Sequence, residues 1–108
     1  GEPMAAISMV SDAYPSHKKV TLSSTPQTQQ AVTIPGSASR VEVQFVTNDG
    51  SVVFNGGTDA AVISSEVAYP IPGDSSFWWD IEKNKREHTI TVASGTGSTV
   101  VHVIVFGA

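Results

Sequence analysis

The sequence predicts a single all-β domain, an antiparallel sandwich or barrel built from seven or eight short strands. Residues 40–46 alternate apolar and polar side chains with a period of two, the pattern of a strand with one solvated face. Turn-forming residues separate the apolar runs about every 8–12 residues, as in sandwiches and barrels. No window of the chain shows the 3.6-residue period of an amphipathic helix.

The candidate strands follow one another along most of the chain. Their apolar runs are rich in β-branched residues, which strands prefer. Seven runs cover residues 20–22, 31–34, 40–46, 52–54, 77–81, 88–92 and 100–106, and residues 61–63 and 66–69 are weaker candidates. The residues Asp49 and Gly50 predict a tight hairpin, because Asp-Gly supplies the positive φ angles of primed turns. Pro70 and Pro72 are expected to end a strand, since proline cannot donate to a sheet ladder. Residues 80–88 are interpreted as a hairpin loop with at most one helical turn.

The chain of 108 residues corresponds to one domain. Residues 1–15 are interpreted as an N-terminal arm that either reaches a neighbouring subunit or is a frayed terminus. Residues 1–3 of that arm look like a cloning remnant, and residues 16–108 form the β-domain. No signal peptide is expected, because the start lacks a basic segment and a long apolar segment. No membrane span is expected either, since no run of about 18 apolar residues occurs.

Composition and charge exclude several classes of function. The net charge is −4 and only 15% of residues are charged, without a basic patch, so a nucleic-acid partner is not expected. The chain has no cysteine, which excludes disulfides and thiolate zinc sites. No Gly-x-Ser-x-Gly elbow occurs, and a Ser–His–Asp triad could be assembled from so many candidates that the inventory is uninformative. The sequence therefore predicts neither an enzyme nor a bound cofactor.

Two groups of residues are candidate metal ligands. His88 and His102 are expected on the two strands of a last hairpin, where they could be cross-strand neighbours. Two ligands are too few for zinc, which takes four in structural sites and three plus water in catalytic ones. The turn acids Asp49, Asp59 and Asp74 lack the spacing of a calcium loop and fit turn chemistry instead. No metal site is predicted.

Aromatic residues supply the interface or ligand candidates, which are Trp78, Trp79, Tyr69, Phe77 and Tyr14. Neighbouring side chains on a strand point to opposite faces, so Trp78 and Trp79 cannot share one core. One of them is expected in the core, and the other on a surface, in an interface or under the 80–88 loop. Tryptophan is enriched at interface hot spots and also stacks on sugar rings.

A resemblance to a known class of proteins is carried by turns and strands at residues 31–35, 41–45, 53–59, 71–75 and 77–80. They comprise a Phe-Asn-Gly-Gly-Thr-Asp turn, a Pro-Gly-Asp turn, the aromatic strand and a Val-rich final strand. This pattern resembles small structural proteins of tailed bacteriophages, some of which are capsid decoration or cement proteins.

The resemblance implies a jelly-roll fold, a homo-oligomer such as a trimer, and a major capsid protein as partner. It also implies a location in the virion, assembled in the host cytoplasm, and brings no catalytic residues. The expected function is therefore capsid decoration through protein–protein contacts. The alternative is a carbohydrate- or receptor-binding module, in which Trp78 or Trp79, with Tyr69, would stack on a glycan.

Overall fold

The computed structural model describes residues 4–9, 13–54, 68–81 and 87–107. Within these ranges the chain forms nine strands: β1 (Met4–Ser8), β2 (Ser16–Thr21), β3 (Gln30–Ile34), β4 (Ala38–Val46), β5 (Gly50–Val53), β6 (Tyr69–Ile71), β7 (Ser75–Asp80), β8 (His88–Ser94) and β9 (Val100–Gly107). They make a five-stranded sheet in the order β1-β3-β8-β5-β6 and a four-stranded sheet in the order β2-β9-β4-β7. The predicted all-β sandwich is confirmed, with β1 as an additional strand.

The pairing of β2 to β9 is nested. β5 pairs with β6, β4 with β7, β3 with β8 and β2 with β9, all antiparallel. A long hairpin that is rolled up into two facing sheets has this connectivity, which is the jelly roll. β1 adds to the edge of the five-stranded sheet, parallel to β3. Residues 4–8 of the expected N-terminal arm therefore belong to a sheet.

The core lies between the two sheets. Val41, Val43 and Phe45 of β4 are fully buried, and so are Val101, Val103 and Val105 of β9. From the other sheet Val32, Ile34, Val52, Ile90 and Val92 complete the same cluster. β9 lies between β2 and β4, which agrees with its apolar residues on both faces.

The hairpin expected at Asp49 and Gly50 is wrong. β4 and β5 belong to different sheets, so this turn is a crossover. The same holds for residues 95–99, which connect β8 to β9. Turn residues specify how the chain reverses, but in a jelly roll the partner of each strand is set by the packing of the two sheets.

The strand end expected at Pro70 is also wrong. Pro70 lies inside β6, in register with Ser51 of β5. β6 is an edge strand, and an edge tolerates a residue without an N–H because that side has no ladder to complete.

Some sequence-based expectations fall outside the described residues. These are the strand at 61–63, the turn at residues 55–57, Asp59, and most of the 80–88 loop. Among the described residues there is no helix of the length and apolar character needed to cross a membrane.

Candidate functional site

The outer face of the four-stranded sheet carries charged, aromatic and aliphatic side chains that are exposed or half-buried. Alternation along each strand sends every second residue outward, away from the core. We define the outer face by ten residues: His17, Lys19, Arg40, Glu42, Gln44, Trp78, Asp80, His102, Ile104 and Phe106. The strand register aligns them in rows, one of which runs from His17 through Ile104 and Glu42 to Trp78.

Trp78 is the most exposed large apolar side chain of this face, with 50% of its surface accessible. The guanidinium carbon of Arg40 lies 4.1 Å from its ring centroid. Nε of Arg40 also donates to Oδ1 of Asp80 at 3.0 Å. An exposed ion pair of this kind contributes little stability. Its consequence here is geometric, because Asp80 holds the guanidinium over the indole and restricts the orientation of both side chains.

Trp79 points to the opposite side of β7 and packs against the core together with Phe77. The Phe54 ring lies 4.5 Å from the Trp79 ring in an edge-on arrangement, and Tyr69 lies 4.5 Å from Phe77. These four rings cover the side of the sandwich where β6 and β7 approach each other. Tyr69 is 43% exposed, so the candidates Tyr69 and Trp78 both reach solvent, but from different surfaces.

Tyr14 lies in another part of the molecule. Its hydroxyl is 2.6 Å from Oγ of Ser37, and its ring packs over Gly107 at the end of β9. The Tyr14–Pro15 peptide bond is cis. The five aromatic candidates therefore divide into one outward residue, Trp78, one edge cluster and one residue that covers the end of a strand.

The expected pairing of His88 with His102 is wrong. His88 is on β8, in register with Ile34, whereas His102 is on β9 in the other sheet. The partner of His102 is His17, whose Nε2 lies 2.7 Å from its Nδ1. Sequence reasoning missed this pair because the two residues are 85 positions apart and meet only through the pairing of β2 with β9. Partial burial lowers the pKa of His88 below 6.5.

Four connections between strands, at residues 22–29, 47–49, 72–74 and 95–99, are joined by hydrogen bonds at one end of the sandwich. Oδ1 of Asp74 accepts from the N–H of Thr47 at 2.7 Å, and Oδ1 of Asp49 accepts from the N–H of Gly73 at 2.8 Å. Each connection carries one non-glycine residue with positive φ: Gln27, Thr47, Asp74 and Ser98. Asp49 and Asp74 thus satisfy backbone donors, as expected for turn residues. Among the described residues, no three His, Cys, Asp or Glu side chains converge on a metal position.

Comparison with known proteins gives one informative likeness. No family model matches the chain, and no curated protein matches it. Among solved structures, the Aeromonas hydrophila protein PliG, a periplasmic lysozyme inhibitor of g-type lysozyme, matches 99% of this chain and 98% of its own, with a TM-score of 0.58 and 13% sequence identity. The two chains share a fold. At this identity the likeness concerns the fold alone.

This comparison corrects the expected function. The bacteriophage decoration protein is wrong as an identification, because the matched structure is a bacterial inhibitor and no phage protein family matches. The capsid partner, the trimer and the virion location were predicted from that resemblance, and these predictions are wrong as well. The glycan-binding alternative is unsupported as well. The reason is physical: Gly-Asp and Gly-Gly sequences are favoured wherever a tight turn needs positive φ angles, so unrelated β-domains share them and they do not identify a lineage. The matched protein is an inhibitor of an enzyme.

Proposed function

We propose that this protein is a non-catalytic binding protein that inhibits a lysozyme-type glycosidase. The observation that supports the proposal is the correspondence in fold with a g-type lysozyme inhibitor over nearly the full length of both chains. Because the correspondence includes the whole domain, it is not explained by a shared hairpin or a shared half of the sandwich.

The outer face is the surface that we assign to the contact with the enzyme. Tryptophan, tyrosine and arginine are enriched among interface hot spots, and on the outer face Arg40 and Trp78 are stacked on each other. A side chain whose orientation is already fixed loses less conformational entropy when a partner covers it. Ile104 and Phe106 add apolar surface to the same face.

The charge of the chain agrees with a basic partner. The net charge is −4, and opposite net charges raise the rate of encounter between two proteins at low salt. The proposal therefore includes a preference for a glycosidase of basic isoelectric point and an association rate that falls as salt increases.

The experiment is a cell-wall lysis assay with purified g-type, c-type and i-type lysozymes at increasing protein concentration. We expect the g-type enzyme to be inhibited with saturable dose dependence. Trp78→Ala is expected to weaken inhibition about 30-fold, since a hot-spot truncation costs roughly 2 kcal/mol or more. Full lysis by all three enzymes in the presence of excess protein would refute the function.

Tyr69→Ala is the matched control, because it also removes an exposed aromatic side chain but from a different surface. Circular dichroism establishes that both variants are folded. If Tyr69→Ala abolishes inhibition and Trp78→Ala does not, the contact surface is the edge cluster, and the assignment to the outer face is wrong.

A further inference from the structure

Two histidines on the outer face, His17 and His102, place one ring nitrogen each within hydrogen-bonding distance of the other. Nε2 of His17 lies 2.7 Å from Nδ1 of His102, and the ring centroids are 5.0 Å apart with the planes tilted by 30°. His17 is exposed and His102 is half-buried, so the space beside the two nitrogens is accessible from solvent.

The positions of both histidines are fixed by strand pairing. His17 is in register with Ile104 and His102 with Lys19, which makes the two histidines diagonal neighbours across β2 and β9. β9 is also hydrogen-bonded to β4 on its other side. The backbone that carries His102 is therefore held from both sides, and the convergence of the two rings does not depend on a loop.

Two protein ligands are fewer than a structural or catalytic zinc site supplies, so the site that they can form is a surface site completed by water. We propose that His17 and His102 form such a surface binding site for a divalent transition-metal ion such as Ni²⁺ or Zn²⁺. Imidazole nitrogen is a ligand that suits these ions, through either ring nitrogen. Two zinc–nitrogen bonds of about 2.0–2.1 Å at a tetrahedral angle place the nitrogens about 3.4 Å apart. The observed separation is 2.7 Å, so the two nitrogens must move apart by about 0.7 Å, and each ring must turn so that its lone pair points at the ion.

Metal binding also changes where one proton resides. In the observed contact one of the two facing nitrogens donates its N–H to the other. Only the acceptor nitrogen therefore carries a lone pair at this point. When the ion binds, the donor ring carries its proton on its second nitrogen instead, and both lone pairs point at the ion. Water completes the coordination, since no third His, Cys, Asp or Glu converges there among the described residues.

Isothermal titration of the full chain with ZnCl₂ and with NiCl₂ tests the site. We expect one equivalent to bind. Loss of a group that merely orients a ligand typically costs about 10–100-fold in metal affinity, so His17→Asn and His102→Asn are each expected to cost at least about tenfold. His88→Gln is the matched control, because it removes a histidine from the other sheet. It is expected to leave the affinity unchanged.

Thermal unfolding gives a second readout. An ion that joins β2 to β9 binds only the folded chain, so the unfolding temperature is expected to rise with ZnCl₂. In the His17→Asn/His102→Asn double variant that rise is expected to disappear, while the unfolding temperature without metal stays close to that of the wild type. Absence of saturable binding by the wild type, or equal binding by the double variant, would overturn the proposal. Equal loss in His88→Gln would do so too.

Discussion

The guanidinium group of Arg40 lies over the exposed ring of Trp78, with its central carbon 4.1 Å from the ring centroid. Arg40 is thereby shared between an aromatic ring and the Asp80 carboxylate, which accepts from Nε at 3.0 Å. Both contacts are at the surface, where each is worth about 1 kcal/mol or less. Under the proposed function we expect their effect on the contact with the enzyme to exceed their effect on stability, because they restrict the orientation of Trp78.

Arg40→Ala tests this distinction. We expect the free energy of unfolding to fall by less than about 1 kcal/mol. Inhibition of the target glycosidase is expected to weaken by more than the roughly fivefold that 1 kcal/mol represents, because the indole is no longer restrained. Arg40→Lys keeps the charge but lacks the planar group that stacks, and is expected to behave like the alanine variant in inhibition. Urea unfolding and the lysis assay supply the two numbers. A loss of more than 2 kcal/mol in stability with unchanged inhibition would contradict this account.

Gly50 lies where β5 passes the core. A Cβ added there would overlap the ring of Phe45, which is fully buried. Gly50→Ala is therefore expected to force the ring out of its position and to destabilise the protein by about 1–3 kcal/mol, the usual cost of overpacking. The measurement is urea unfolding.

Gly95→Ala is the control for that experiment. Its added Cβ would meet only Nε2 of Gln27, at 3.3 Å, and the end of a flexible side chain can move. We expect a change within about 0.5 kcal/mol. Similar losses in both variants would mean that the effect of Gly50→Ala does not come from the Phe45 contact.

Asp74 connects two turns at one end of the sandwich. It has φ 60° and accepts from the N–H of Thr47, which has φ 68°. Asp74→Ala removes the acceptor and places alanine in the left-handed region, for an expected loss of about 2 kcal/mol. Asp74→Asn retains an oxygen acceptor and tolerates that backbone, so its loss is expected to be below about 1 kcal/mol. Equal losses in denaturant unfolding would exclude the hydrogen bond as the cause.

His88 is expected to make stability depend on pH. Burial lowers its pKa in the folded state below the ordinary 6.5. Below pH 6.5 the unfolded chain binds more protons at this position than the folded chain does, so the free energy of unfolding decreases as pH falls. The decrease continues until the pH reaches the folded pKa, and above pH 6.5 the effect is absent.

The measurement is the free energy of unfolding from pH 5 to 8 in the wild type and in His88→Gln. The other titrating groups are common to both proteins, so the difference between the two curves isolates His88. We expect the variant to lose less stability on acidification. Parallel curves would show that His88 titrates alike in both states.

The sequence predicts the strands of this fold better than their partners. The alternation at residues 40–46 and the apolar run at 100–106 correspond to β4 and β9, because alternation is a local property of a pleated chain. Partners depend on packing over the whole chain. Hence Asp49 and Gly50 correctly predict a break between β4 and β5 but the wrong neighbour for β4.

The candidate site divides in the same way. Alternation requires Trp78 and Trp79 to face opposite sides, but only the position of β7 in its sheet decides that Trp78 is the outward residue. The His17–His102 contact has no local signal at all, since it joins the first and last strands of the roll. The bacteriophage resemblance failed for a related reason, because turn residues record backbone geometry rather than descent.

The central place of β9 has a consequence for the synthesis of this protein. β9 is the last strand along the chain, yet it lies between β2 and β4 and holds both in one sheet. In that strand order, until residues 100–107 have been added, β2 has no available neighbour in the sheet and β4 can pair only with β7. The four-stranded sheet, with the outer face it carries, therefore assembles only after the final strand has left the ribosomal exit tunnel.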